Sequence, residues 1–230
     1  MQPGQYVAQW MQEYMLGRLT TPQQIYAASR AEIPLPPTRF FGAPMDNLEF
    51  WDAPSRLQAP AHFLSESWLK QSTRADWAHC DPRLMGWAGQ FIKAAEKRGI
   101  PLYVHTALRG KREQDAAYDK GRSKARYPSS AHNIGEAVDI VHGVFHWDLS
   151  GQEWRFLHEL GSRVLDRMND GVKKEDQLHL YWGGHFKSLY DPAHWEIIGY
   201  RERLRKLADV EPVRLTPTNL RDRYKFGALK

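Results

Sequence analysis

Apolar positions fall into regular runs only after residue 80. Leu84, Trp87, Ala88, Phe91, Ile92 and Ala95 recur at three- and four-residue steps, the spacing of one buried helix face. Asp81 stands at the cap position, Pro82 at the first helical position and Gly99 beyond the end, so these residues frame the helix. Leu102, Val104, Thr106 and Leu108 alternate along a predicted strand, Leu102–Leu108. A short helix is predicted over Arg112–Lys120, stopped by Gly121, and the apolar run Ala137–Val141 reads as a buried strand. Ser150 and Glu153 form a capping box opening a helix that bears Trp154, Leu157, Leu160, Val164, Leu165 and Met168. Leu178–Trp182 and His194–Ile198 are further short strands, with Gly183 and Gly184 as the turn between them. This order of elements predicts an α+β fold with an antiparallel sheet.

The flanks differ. A short helix is expected around Tyr6–Leu16, and another from Thr21 and Pro22. Pro34, Pro36, Pro37, Pro44, Pro54 and Pro60 then interrupt regular structure and favour an extended arm, and Phe40, Phe41, Phe50 and Trp51 suit it to lie against a surface. After residue 200 come a basic helical stretch, Arg201–Leu207, and a tail holding Pro212 and Pro217. The chain therefore divides into N-terminal helices and arm (1–75), a central domain (76–200) and a basic extension (201–230).

Composition narrows the function. With 230 residues, 42% hydrophobic and nine tryptophans, the chain has enough apolar surface to fold. A mean hydropathy of −0.64 and the lack of a long apolar run exclude a transmembrane helix. The single cysteine, Cys80, excludes a disulfide framework or cysteine zinc site, and its place before a helix cap reads as a small core residue, whereas ten histidines leave a histidine/carboxylate site open. The start, Met1 to Gln5, has neither a basic nor an apolar signal region, so synthesis in a cytoplasm is expected. The net charge of +5 suits an anionic partner, but scattered cations without a recognition motif argue against nucleic acid.

The chemistry concentrates in Ser130 to Asp139. His132 follows a turn, and seven residues later Asp139 sits inside an apolar run. A buried carboxylate needs a cation or a partner. A metal ion and an arginine salt bridge both answer that need, and these ten residues do not choose between them. Downstream, Asp191 precedes His194 by three residues, with Pro192 forcing a turn. Two histidines and one aspartate make a three-ligand zinc site with an open fourth position, and a carboxylate beside it can move protons.

The pattern Ser-x-His-x-x-Gly-x-Ala-x-Asp, residues 130–139, followed by Asp-x-x-His, residues 191–194, resembles the zinc D-Ala-D-Ala carboxypeptidase and L-alanyl-D-glutamate endopeptidase family. Its members cut peptidoglycan stem peptides, and many are phage endolysins. Leu108 with Arg109, then Gln114, then Gly121 to Ser123, also resemble that family's arginine segment. The resemblance spans roughly residues 80–200. It implies one zinc ion on His132, Asp139 and His194, with Asp191 as general base and acid. Arg109 would bind a substrate carboxylate or the developing oxyanion, Ser130 would support the first histidine or the substrate, and Gln114 would shape the site wall. The implied fold is a small central antiparallel sheet flanked by helices, with zinc on one face, as in D-Ala-D-Ala peptidases and hedgehog-like domains. Aspartate at 191 points to the endopeptidase branch, whereas Gly110 after the arginine departs from the Ser or Thr of many relatives.

Several residues carry two readings. Glu196, two positions after His194 on a strand, either orients that ligand or forms a salt bridge. Trp182 either walls the substrate cleft or packs in the core. His142 and His146 read as exposed loop residues, and His158, among charged neighbours on its helix, as surface. His179 and His185 add further candidate ligands between Asp139 and Asp191. The expected activity is stem-peptide hydrolysis at the cell wall or periplasm, after release by lysis or as part of a virion, with virion proteins as partners of the arm. A D-Ala-D-Ala carboxypeptidase is the alternative activity. A virion structural or wall-binding protein on the same scaffold is the alternative without catalysis.

Overall fold

A computed structural model of the chain describes residues 52–209. The predicted helices near Tyr6 and Thr21, the aromatic row Phe40 to Trp51 and the tail beyond residue 209 lie outside the described residues. The chain is an α+β protein with a four-stranded antiparallel sheet.

Helix α1 spans Glu66–Ser72, α2 Pro82–Glu96, α3 Lys111–Asp119, α4 Gly151–Asn169 and α5 Tyr200–Asp209. Strand β1 spans Leu102–Thr106, β2 Ala137–His142, β3 Leu180–Trp182 and β4 His194–Ile197, in the sheet order β1-β2-β4-β3. The caps behave as their chemistry requires. Asp81 accepts from the Arg83 amide at 2.8 Å, Ser150 accepts from the Glu153 amide, and Glu153 returns the bond to the Ser150 amide at 2.7 Å. Helices α2 and α4 pack together through Trp87, whose indole N–H donates to the Gly161 carbonyl at 3.0 Å.

Strand pairing sorts side chains between two faces. Asp139 pairs with His194, Val138 with Trp195, and Trp182 with Trp195. Directly opposed antiparallel residues share a face and neighbours along a strand alternate. Leu102, Ile140, Trp182 and Trp195 therefore meet Phe91, Trp154 and Leu157 of α2 and α4 on the core side, while Asp139 and His194 point the other way. The predicted Leu102–Leu108 strand ends at Thr106, because Leu108 N–H bonds to Asp76 O and Arg109 N–H to His132 O instead of to a neighbouring strand. Gly183 and Gly184 do not form a tight hairpin turn. They begin a 3-10 turn, Gly183–His185, in a longer loop to β4.

The prolines around 54–60 do not leave the chain extended. Ser55–Leu57 and Pro60–Leu64 form 3-10 turns, with Pro54 just before the first and Pro60 starting the second, positions where a missing N–H costs little. Leu57 and Trp68 join the same hydrophobic core as Trp87 and Phe91. The reading of His142 as an exposed loop residue is corrected here: it ends β2 and is fully buried. Its Nε2–H donates to the Leu57 carbonyl at 2.9 Å, while Nδ1 accepts from the Val144 and Phe145 amides at 3.1 Å each.

That ring must be neutral to accept those amides, and burial, the largest influence, lowers its pKa below the usual 6.5. The unfolded chain then binds more protons here, so the ring's contribution is complete above about pH 6.5 and is lost as the pH falls below it. His142→Gln should show a shallower loss of thermal midpoint between pH 7 and pH 5 than the unmodified protein; equal slopes would refute this account.

Candidate metal centre

His132 sits on the 3-10 turn Ala131–Ile134, which Ser130 caps by accepting from the His132 amide at 3.4 Å. The turn ends at Gly135, at φ +71°, where a Cβ would lie 2.4 Å from the His79 carbonyl oxygen. His132 Nδ1–H donates to the Ala107 carbonyl at 2.8 Å, which fixes the tautomer and leaves Nε2 as a bare lone pair. His194 Nε2 faces Glu196 Oε2 at 3.2 Å, so a donated hydrogen there leaves Nδ1 bare as well.

These two nitrogens converge with Asp139 Oδ1. The three separations are 3.1 Å (His132 to Asp139), 3.0 Å (His194 to Asp139) and 3.2 Å (His132 to His194). A tetrahedral site with bonds of about 2.0–2.1 Å has ligand edges of about 3.3 Å. All three residues are buried. Three converging electron pairs repel unless a positive charge lies among them. The pKa of His194 says the same: burial, the largest influence, opposes the charged ring, yet hydrogen bonds to Asp139 and Glu196 and the nearby carboxylates push it up to about 10. Burial lowers His132, and Asp139 lies well below the usual carboxylate range because His132 and His194 outweigh its own desolvation. The set can hold a metal ion, and among the described residues it is the one histidine/carboxylate group that can.

At Asp139 the salt bridge is present, and the other carboxylate oxygen is placed where a metal ion could also be held. Oδ1 faces the histidines while Oδ2 accepts from Arg109 Nη2 at 3.0 Å. Arg109 Nη1 lies 3.4 Å from Gln114 Oε1, and Gln114, fully buried on α3, donates to Ser123 Oγ at 2.9 Å and the Ala125 carbonyl at 2.6 Å. Asn133, which sequence reasoning passed over, donates from its side chain to the Arg109 carbonyl at 2.8 Å. Its place beside His132 in the motif was the available signal.

Asp191 lies on the turn before β4. Its amide donates to the Gly183 carbonyl at 3.2 Å, and its carbonyl accepts from the His194 amide at 3.1 Å. Burial first, and the Asp139 charge second, raise its carboxyl to about 6, while His194 and Arg109 pull it down. Its carboxylate is thus within electrostatic reach of the group without belonging to it.

Trp182 lies on the core side, its indole N–H donating to the Pro192 carbonyl at 2.7 Å, which pins the turn carrying Asp191. His158 is not a surface residue. Its ring stacks on Trp182 at 4.1 Å and on Trp195 at 5.4 Å, because residue 158 shares the buried face of α4 with Trp154, four residues earlier. Burial lowers its pKa. His146 is exposed and bonds Tyr103, and neither it nor His179 or His185 joins the three-residue group.

Sequence reasoning also missed His105. The register runs from Val104 opposite Ile140 to Thr106 opposite Asp139, so His105 is the extra residue of a β-bulge beside the site. Burial, then Arg74, lower its pKa to about 4, which keeps the ring neutral.

Fold and site together define an α+β domain whose sheet carries, on the face away from α2 and α4, a buried three-residue group that can hold a metal ion. No protein-family model and no curated protein matches the chain. Its structure is similar to the crystal structure of the L-Ala D-Glu endopeptidase ChiX of Serratia marcescens, at 20% sequence identity and a TM-score of 0.42, over 57% of this chain and 91% of that one.

Proposed function

We propose that this protein is a zinc-dependent peptidase that cleaves the stem peptide of bacterial peptidoglycan, as an L-alanyl-D-glutamate endopeptidase. The observation that carries the reading is the triangle of His132 Nε2, Asp139 Oδ1 and His194 Nδ1 with a separate, partly buried carboxylate, Asp191, beside it. Two imidazoles and one carboxylate form a donor set suited to zinc. A zinc ion held by His132, Asp139 and His194 would supply Lewis acidity, able to activate water near neutral pH and polarise a carbonyl. Asp191 takes the proton of the attacking water and delivers it to the departing amine. Arg109 spends two of its five N–H donors on Asp139 and Gln114, and the others meet the carbonyl oxygen as charge develops on it. The Ala107 carbonyl and Glu196 hold the two histidines in their ligating tautomers, Ser130 caps the turn that carries His132, and Trp182 steadies the Asp191 turn. The positive net charge favours adhesion to anionic wall polymers, and the part of the N-terminal region before residue 52 serves to dock on a wall or a virion.

Digestion of purified peptidoglycan with and without a zinc chelator, followed by mass spectrometry, tests the proposal. New L-alanine carboxyl termini released only with zinc are expected; released D-alanine would instead assign a carboxypeptidase. No cleavage by the zinc-loaded protein across several wall types would favour a binding role. Metal binding has its own readout. Zinc at a hundred times its Kd should stabilise the fold by about 2.7 kcal/mol, or roughly 5–10 °C in Tm for a domain of this size. His132→Ala should abolish that shift.

A further inference from the structure

We propose that His105 and Trp147 form a second recognition site, on the β1 side of the metal centre, that takes the carboxylate of an acidic residue in the bound peptide. This rests on the peptidase reading above. The bulge is the starting point. With two residues of β1 set against Asp139, His105 and Thr106 both turn to the face that carries the metal-binding group. Without the bulge, simple alternation after Val104 would leave only one residue opposite Asp139.

The His105 ring is held on two sides. Its Nδ1 lies 2.9 Å from Thr106 Oγ1, and Trp147 meets it edge-on at 4.7 Å. Its Nε2 has no partner among the described residues, and it is not a sealed buried atom. Trp147 is 44% exposed on the loop after β2. That loop is fixed by His146, which exchanges backbone bonds with His142 and lies 3.1 Å from the Tyr103 hydroxyl. An indole held open to solvent beside a free imidazole nitrogen is a built surface, and nothing among the described residues covers it.

The surrounding charge selects the ligand. Arg74 donates its Nε–H to the His105 carbonyl at 3.1 Å and is otherwise exposed, while Arg109 approaches from the Asp139 side. Both cations act on the His105 ring. The carboxylate on that side, Asp139, already has its oxygens turned to Arg109 and to the histidines. An entering carboxylate would accept from Nε2–H in the positive field of the two arginines, on a ring that Thr106 and the edge-on Trp147 indole hold in place.

The test uses the zinc-loaded full chain and two synthetic stem peptides, identical except that the glutamyl α-carboxylate is free in one and a carboxamide in the other. A hydrogen bond to a charged group is worth roughly ten-fold or more in binding, so the amide should raise KM by about that factor. His105→Ala and Trp147→Ala should each raise KM for the acid peptide about ten-fold, with the larger effect in KM than in kcat, and erase the preference for acid over amide. His105→Gln, which restores an N–H donor, should recover part of it. Unchanged KM in both alanine variants, or equal losses on both peptides, would overturn the proposal. Trp147 is exposed, so its variant keeps the test independent of any folding defect at His105. Should the unmodified protein cleave neither peptide, the peptidase reading fails, and calorimetric titration of the same peptides decides the recognition site. Tighter binding of the acid, lost in both variants, would support it; equal or absent binding would overturn it.

Discussion

Asp191→Ala should lower kcat for stem-peptide cleavage by roughly 10²–10⁴-fold, the range that positioned acid–base groups contribute, while the protein still binds one equivalent of zinc. The two halves of this expectation come from different observations. Retention of metal follows because Asp191 stands outside the triangle of His132, Asp139 and His194. Loss of rate follows because Asp191 is the carboxylate beside the group that burial raises to about 6, within reach of charge on Asp139 and His194. Steady-state kinetics and metal analysis of the same preparation check both. Loss of zinc together with activity would make Asp191 a ligand. Full activity with zinc bound would remove it from the mechanism. Asp191→Ala leaves the Gly183 and His194 backbone bonds in place, so its Tm should change little.

Gly135→Ala should be strongly destabilising. An alanine at φ +71° costs about 1–2 kcal/mol in a left-handed conformation, and its Cβ would lie 2.4 Å from His79 O and 2.7 Å from Cys80 Cα. Both are backbone atoms, so relief requires moving the chain. The Gly135 carbonyl also accepts from the Asp81 amide at 2.9 Å, the residue that caps α2. A loss of about 3 kcal/mol or more is expected, measured as the urea midpoint. Gly121→Ala is the control: it has φ +69° with nothing within 4 Å of the added Cβ, so it should cost only the conformational part. Equal losses in the two variants would show that the close approach at Gly135 is relieved without consequence. Because Gly135 follows His132 by three residues, the first variant should also weaken metal binding, and the second should not.

The parts of the fold that were legible are those written in local chemistry. Asp81 with Pro82, and Ser150 with Glu153, announce α2 and α4, because caps satisfy backbone groups within a few residues of themselves. Asp139 was legible as a buried carboxylate because an apolar run on both sides left it nowhere else to go. What escaped depends on partners distant in sequence. The bulge at His105 exists only in relation to Asp139, 34 residues later by number, and the alternation of Leu102, Val104 and Thr106 concealed it. His158 reads as surface from Arg155 and Glu159, and its two tryptophan neighbours come from β3 and β4. His142 is buried by Leu57, from a stretch whose prolines suggested extended chain. Arg109 was legible as a neighbour of the candidate group, but its double engagement with Asp139 and Gln114 was not, since spacing says nothing about which oxygen of a carboxylate a guanidinium will take.

The three candidate ligands also have a meaning in polymer terms. His132 and His194 are separated by 62 residues, and an ion shared between them is a cross-link that closes that loop. The chain between them includes β2, α4 and β3, so two of the four strands lie inside the loop. Because the ion binds the folded chain, its binding free energy goes into holding together two segments far apart in sequence. Removing the ion would therefore do more than disarm a site. It would release β4, a four-residue strand, from its tie to the Ala131–Ile134 turn, and amide exchange along β3 and β4 would quicken ahead of exchange in α2.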